Sequence, residues 1–269
     1  MKDYVLSAKA ILYAAKKAGA QSFTGLPNAL YGIDKAAEAK IIREAEDELT
    51  EAGLMELDFD GKSTIEKELL NMVLICSNVS QITGYDLKLA DGNIKTATVF
   101  LDRNDNYYLL TGFGQEDEKY LFAKKSVDEI KKFIKEYISV PEGTAEESVT
   151  VVESSLLSGP EKETLVEAGS SEDTADLIEK AINGGACALS MRRFINTVED
   201  QTIIYYWNDS HILNMNVVYE DDKENVHFAE ATGEKAYSSM FGLLDRPEFE
   251  DEEEPDISAD NMGPMENEE

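Results

Sequence analysis

An order of strand, turn, strand, turn, strand, short strand and amphipathic helix fills residues 85–138, and the same order returns over residues 186–244. The offset stays near ~106 residues, too long for a solenoid repeat and suited to a duplicated half-domain. A helix precedes each copy, over residues 64–78 and 174–183. The second copy reads as strands at 186–194, 202–207, 212–219 and 226–229, closed by a helix at 232–244. Tyr85, Leu87 and Leu89 alternate with polar residues, as in a strand with one wet face. By contrast Val99-Phe100-Leu101, Tyr107-Tyr108-Leu109-Leu110 and Ile203-Ile204-Tyr205-Tyr206-Trp207 are apolar on consecutive positions and need cover on both faces. The closing helices supply one cover. Ser126 with Glu129 makes a capping box at the start of the first of them.

Upstream, Ser7 caps a helix over 7–18, and a loop follows with Phe23, Leu26 and Leu30 as its buried anchors. Asp34 then caps a longer helix to residue 52, which Gly53 ends. A short strand at 54–59 turns at Asp60-Gly61, and Ser63 with Glu66 reads as a capping box for the next helix. This order is winged-helix-like. The presumed reading helix carries Glu38, Glu44, Glu46, Asp47, Glu48 and Glu51 against Lys35, Lys40 and Arg43, a field of the wrong sign for phosphates and base edges. The whole chain agrees: 55 acidic against 25 basic residues give a net charge of −30, which disfavours nucleic acid and anionic membrane as partners.

The expected fold class is therefore α+β: two pseudo-repeated antiparallel sheet-plus-helix halves, an N-terminal winged-helix-like module and a disordered acidic tail. The boundaries fall at residues 1–62, 63–139, 140–173, 174–244 and 245–269. Residues 140–173, rich in Glu, Ser, Thr and Gly, read as a linker or insertion with a short pairing segment near 148–157. Residues 245–269 hold twelve carboxylates, one arginine and three prolines, a disordered composition. The start of the chain carries an early acid and no signal-peptide pattern, and no run reaches the ~20 apolar residues of a membrane span. Cys76 and Cys187 read as small core residues of a reducing compartment, with a disulfide between them as the alternative.

No phosphate loop, paired Cys-x-x-Cys, His-Glu-x-x-His or nucleophile elbow occurs, so the chain reads as no enzyme and calls for no cofactor. Asp102-Arg103-Asn104-Asp105-Asn106 opens like a calcium loop. It departs from the pattern where Tyr107 replaces the turn glycine and Phe113 the bidentate glutamate, so a turn between strands explains it better. His211 and His227 lie in or beside neighbouring strands without a clear third ligand, and no metal site is assigned. Gly184-Gly185 reads as close helix-to-strand passage. As partner-binding candidates Tyr107, Phe113, Tyr206 and Trp207 stand out, aromatics on or near strands where core packing is the competing role.

Three short runs carry a resemblance. Leu49-Thr50-Glu51-Ala52-Gly53-Leu54 is similar to the A-L-x-x-R-G-L helix end of the EspG family. Glu68-Leu69-Leu70-Asn71-Met72-Val73-Leu74 resembles its E-L-A-x-L-L-x-x-L helix, and Tyr85-Asp86-Leu87-Lys88-Leu89 its E-V-D-L-R-L strand. The resemblance covers residues 6–138 by sequence and 174–244 by order of elements. It implies a quasi-twofold α+β chaperone of type VII secretion, cytosolic, that keeps a helical client export-competent. The client would be a helical-hairpin secreted protein of the PE/PPE, WXG or LXG kind. A winged-helix transcriptional regulator and an acidic immunity protein that neutralises a basic toxin are the alternatives.

Overall fold

The computed structural model describes residues 2–27, 34–57, 62–112, 119–143, 148–220 and 223–247. Phe113, Leu30, the Asp60-Gly61 turn and residues 248–269, and with these last the expected tail, lie outside the described residues.

A ten-stranded antiparallel sheet forms the middle of the protein. Its first meander comprises β4 (Gln81–Lys88), β5 (Ile94–Leu101), β6 (Tyr107–Gly112) and β7 (Lys119–Lys125), followed by helix α4 (Val127–Ile138). A second comprises β9 (Cys187–Ile195), β10 (Val198–Trp207), β11 (Ile212–Glu220) and β12 (Lys223–Glu230), followed by α7 (Gly233–Gly242). The meanders join through their first strands: β4 and β9 pair antiparallel, with Tyr85 opposite Met191 and Leu87 opposite Leu189. Each outer end takes one more strand, β1 (Tyr4–Ser7) on β7 and β8 (Val149–Glu153) on β12.

Alternation along the strands builds two layers. On one face, Tyr85, Leu87, Val99, Leu109, Leu189, Met191, Tyr205 and Trp207 pack beneath α4 and α7, which contribute Ile130, Ile134, Ile138, Ala236 and Met240. That single interior draws on both meanders. The opposite face carries two separate covers. At one end α1 (Ala8–Lys17), α2 (Lys35–Glu51) and α3 (Lys67–Cys76) enclose Phe100, Tyr108, Leu110 and Phe122. At the other end α5 (Lys162–Glu167) and α6 (Glu172–Asn183) cover Val152, Leu213, Val226 and Phe228. Between the covers, Arg192 of β9 pairs with Asp86 of β4 at 2.8 Å.

Local chemistry explains most element ends. The Ser7 and Asp34 side chains accept backbone N–H bonds at the starts of α1 and α2, and Ser126 and Glu129 form the capping box of α4. The expected capping box at Ser63 is not formed. Ser63, Thr64 and Ile65 instead make strand β3 (Ser63–Ile65) against β2 (Met55–Leu57), and α3 begins only at Lys67. Pairing of the β-branched Thr64 and Ile65 with Glu56 and Met55 outweighs the local cap.

Of residues 140–173 the structure describes 140–143 and 148–173, and the short pairing segment expected near 148–157 is present as a strand. These residues supply β8, a 3-10 turn at Ser154–Leu157 and α5, with Val152 and Leu165 buried. The folded chain also continues past Asp245. Arg246 donates to Asp105 at 2.9 Å and to the Asp102 carbonyl, tying residues after α7 to the turn between β5 and β6. Cys76 is a buried free thiol and Cys187 a half-buried one.

Candidate functional site

The face built by α4 and α7 concentrates aromatic rings near the surface. Each helix carries two rings four residues apart, the spacing that stacks neighbours on one helical face. Phe133 and Tyr137 stack at 4.9 Å, and Tyr237 and Phe241 at 6.1 Å. All four are half-buried and rest on the shared interior. Lysines lie over the rings: Lys135 within 5.6 Å of both Tyr237 and Phe241, Lys131 at 5.7 Å from Phe241, and Lys95 at 5.3 Å from Tyr137. Cation–π attraction holds those ammonium groups against apolar surface in a chain that is otherwise strongly acidic.

Beside the rings opens a cleft of about 570 Å³, lined by Lys135, Val140, Pro141, Glu142, Tyr237 and Phe241 among others. Its far wall is the segment after α4. The Gly233 N–H donates to the Glu142 carbonyl at 2.7 Å, and the Val140 N–H donates to the Tyr237 hydroxyl at 2.9 Å. Gly233 is required there, because a Cβ would sit 2.3 Å from the Pro141 carbonyl oxygen. Cleft and rings form one surface in which apolar anchors lie beside cationic side chains.

The end of α7 is held from a distance. Its last residues offer carbonyls with no helical partner, and Leu243, not glycine, stands at the cap. Side chains of β4 meet them: the Tyr85 hydroxyl donates to the Met240 carbonyl at 3.0 Å and the Thr83 hydroxyl to that of Leu243 at 2.9 Å. The Gln81 amide donates to the carbonyls of Leu243 and Asp245, each at 3.2 Å. Gln81 and Thr83 are buried polar residues, and these bonds are their reason for being there.

The four aromatic candidates do not meet in one place. Trp207 is buried under α7, only 4% exposed, and Tyr206, its neighbour in sequence, points to the opposite face beneath α6. Burial raises the Tyr206 phenol above its ordinary pKa. Tyr107 is half-buried at the edge of the α4–α7 interior, its phenol raised by burial and by the nearby carboxylates of Asp245 and Asp105. Phe113 lies outside the described residues. The rings at the cleft were missed, although Phe133/Tyr137 and Tyr237/Phe241 share a spacing of four that was visible in the sequence.

Asp102 occupies a hairpin turn. Its carboxylate accepts from the N–H groups of Asn104 and Asn106 at 2.8 and 2.9 Å and from the Asn106 amide. Burial pushes its pKa up, yet these donors and the Tyr108 hydroxyl prevail and hold it below the ordinary aspartate value. His211 sits 3.7 Å from Glu230 and 3.9 Å from Asp173, and no group of three or more metal-ligating side chains occurs among the described residues. No helix among them is long and apolar enough to cross a membrane. No known family model matches the chain, and neither does any curated protein.

Proposed function

We propose that this chain is a protein-binding chaperone of the type VII secretion kind, similar to the EspG family, and that it holds a helical-hairpin client in the cytosol. The observation that carries the reading is the α4–α7 surface: four half-buried rings, lysines over three of them and an open cleft alongside. Amphipathic helices bind to such surfaces through a few aromatic anchors, while the flexible charged rim adapts to the client's polar residues. Two further parts of the reading fit the architecture. The matching meanders, joined through β4 and β9 and each closed by a helix on the same face, are taken as a pseudo-repeat about a quasi-twofold axis. The N-terminal helices with the β2–β3 hairpin are taken as a winged-helix-like module in a structural role.

That last assignment is favoured over DNA reading by the partners of α2. Its Glu38 and Glu44 pair with Lys16 and Lys9 of α1 at 2.6 and 2.8 Å, and its Glu46 and Glu48 accept from Tyr13 and Ser7. The helix that would read bases is bound to the module itself.

Co-expression with PE–PPE, WXG and LXG hairpin proteins, followed by size-exclusion chromatography, tests the reading. A stable complex with one class is expected, and Phe241→Asp or Tyr237→Ala should weaken it at least tenfold while leaving the thermal transition in place. Failure of all three classes to bind, or equal binding by both variants, would overturn it.

A further inference from the structure

Helix α4 does not share the charge of the chain it belongs to. Over Val127–Ile138 it holds Lys131, Lys132 and Lys135 against Asp128, Glu129 and Glu136, an even balance in a sequence with 55 acidic and 25 basic residues. Two of its carboxylates are engaged locally, Glu129 in the capping box and Glu136 with Lys132 at 3.9 Å. Lys131, Lys135 and Lys95 of β5 have no carboxylate within ion-pair distance among the described residues. Other lysines of the chain do: Lys9, Lys16, Lys119, Lys125 and Lys180 each meet one at 3.5 Å or less.

What the three lysines touch instead is the aromatic surface. Lys95 lies over Tyr137, Lys131 over Phe241, and Lys135 over both Tyr237 and Phe241. A ring face attracts an ammonium group but leaves its charge uncancelled. A helix laid on these rings covers the ammonium groups as well, and taking an unpaired charge out of water is costly. That cost is offset when the incoming helix places a carboxylate beside each lysine, whereas lysine or arginine there adds repulsion. The far wall of the cleft has the opposite sign, since Glu142 and Glu234 line it. The demand for carboxylates is therefore confined to the ring half of the surface.

We infer that the helix this surface accepts is an acidic amphipathic one, with carboxylates flanking its apolar stripe where Lys95, Lys131 and Lys135 meet it. The inference rests on the client-binding reading above and specifies the chemistry of the client. It runs against the net charge of −30, which taken alone favours a basic partner. Distance decides between the two. At 0.15 M salt the screening length is about 8 Å, so remote carboxylates are damped while lysines in contact with the helix are not.

The test uses the full chain at that salt and two synthetic helices, with affinity read by titration calorimetry. One repeats Glu-Leu-Ala-Glu-Leu-Leu-Glu three times, a length that holds a helix and a pattern that gives one apolar stripe. The other carries lysine at every glutamate. The acidic helix should bind at least tenfold more tightly than its basic twin, and Tyr237→Ala should weaken it. Lys131→Glu combined with Lys135→Glu should reverse the preference. Lys135→Gln, at an exposed position, should weaken the acidic helix and not the basic one, and serves if the double variant does not fold. Equal binding of both helices, lost with Tyr237→Ala, overturns the charge selection and leaves the client-binding reading standing. Tighter binding of the basic helix overturns the inference as well, and binding of neither overturns it together with that reading. Self-association of the chain that Tyr237→Ala removes would overturn it in favour of a second copy.

Discussion

Helices α4 and α7 lie side by side on one face of the sheet, bury comparable apolar stripes and each start at a local hydroxyl cap, Ser126 or Thr232, yet their C-terminal ends are secured differently. The start of α4 is closed by Ser126 and Glu129, three residues apart, and its end by Ser139 in the left-handed region at φ 50°. The end of α7 instead depends on Gln81, Thr83 and Tyr85, about 160 residues earlier in the chain. The carbonyls at the end of α7 thus rely on β4, whereas at the end of α4 the Lys135 carbonyl accepts from the local Ser139 N–H and also from the Tyr237 hydroxyl of α7 at 3.3 Å. Two helix-closed meanders in one sheet need not be two independent folds.

Substitutions should separate these modes, beginning with what the helices share. Ile134→Ala and Met240→Ala each empty a fully buried site, and each should cost about 2–5 kcal/mol by chemical denaturation. Equal effects on one cooperative transition are expected if the interior is common to both halves. Next, Thr83→Val and Gln81→Leu keep the volume of β4 but strand carbonyls at the end of α7. Each should lower stability by about 1–3 kcal/mol. Hydrogen exchange should accelerate in α7 and not in α4.

Ser126→Ala should cost about 1 kcal/mol and loosen α4 alone. Because Ser126 and Gln81 share no partner, the double variant should be additive to within about 0.5 kcal/mol. The smallest effect is one of pH. The Ser126 N–H and hydroxyl hold the Glu129 carboxyl below the ordinary glutamate value. Its contribution is therefore complete above the unfolded pKa and is lost as pH falls through the folded one. Below about pH 4.5 the difference in melting temperature between the wild type and Glu129→Gln should shrink, as differential scanning at several pH values would show.

The same contrast explains what could be read from sequence. Caps at Ser7, Asp34 and Ser126 and the strand order of both meanders rest on residues close in sequence, and they were legible. Strand β1 was not assigned, because its partner β7 lies more than a hundred residues away and four residues carry little periodicity. Ser63 misled for a related reason: its local signal was valid, but pairing with β2 competed and won. Gln81 and Thr83 occupy the inward positions of β4 together with Tyr85 and Leu87, an anomaly that announces a buried acceptor without saying which one. At the proposed client surface, the ring pairs were visible as a spacing of four, but their union across α4 and α7 required the tertiary fold. Trp207 and Tyr206 show the converse, since adjacent residues of a strand face opposite layers and cannot belong to one patch.

Trp207, the sole tryptophan, sits in the interior to which both meanders contribute and reports on the claim that the halves form one cooperative body. Equilibrium urea unfolding of the full chain, followed in parallel by Trp207 fluorescence and backbone circular dichroism, tests it directly. Coincident single transitions with one midpoint are predicted. Fluorescence lost in a separate step, while half of the secondary structure persists, would contradict it.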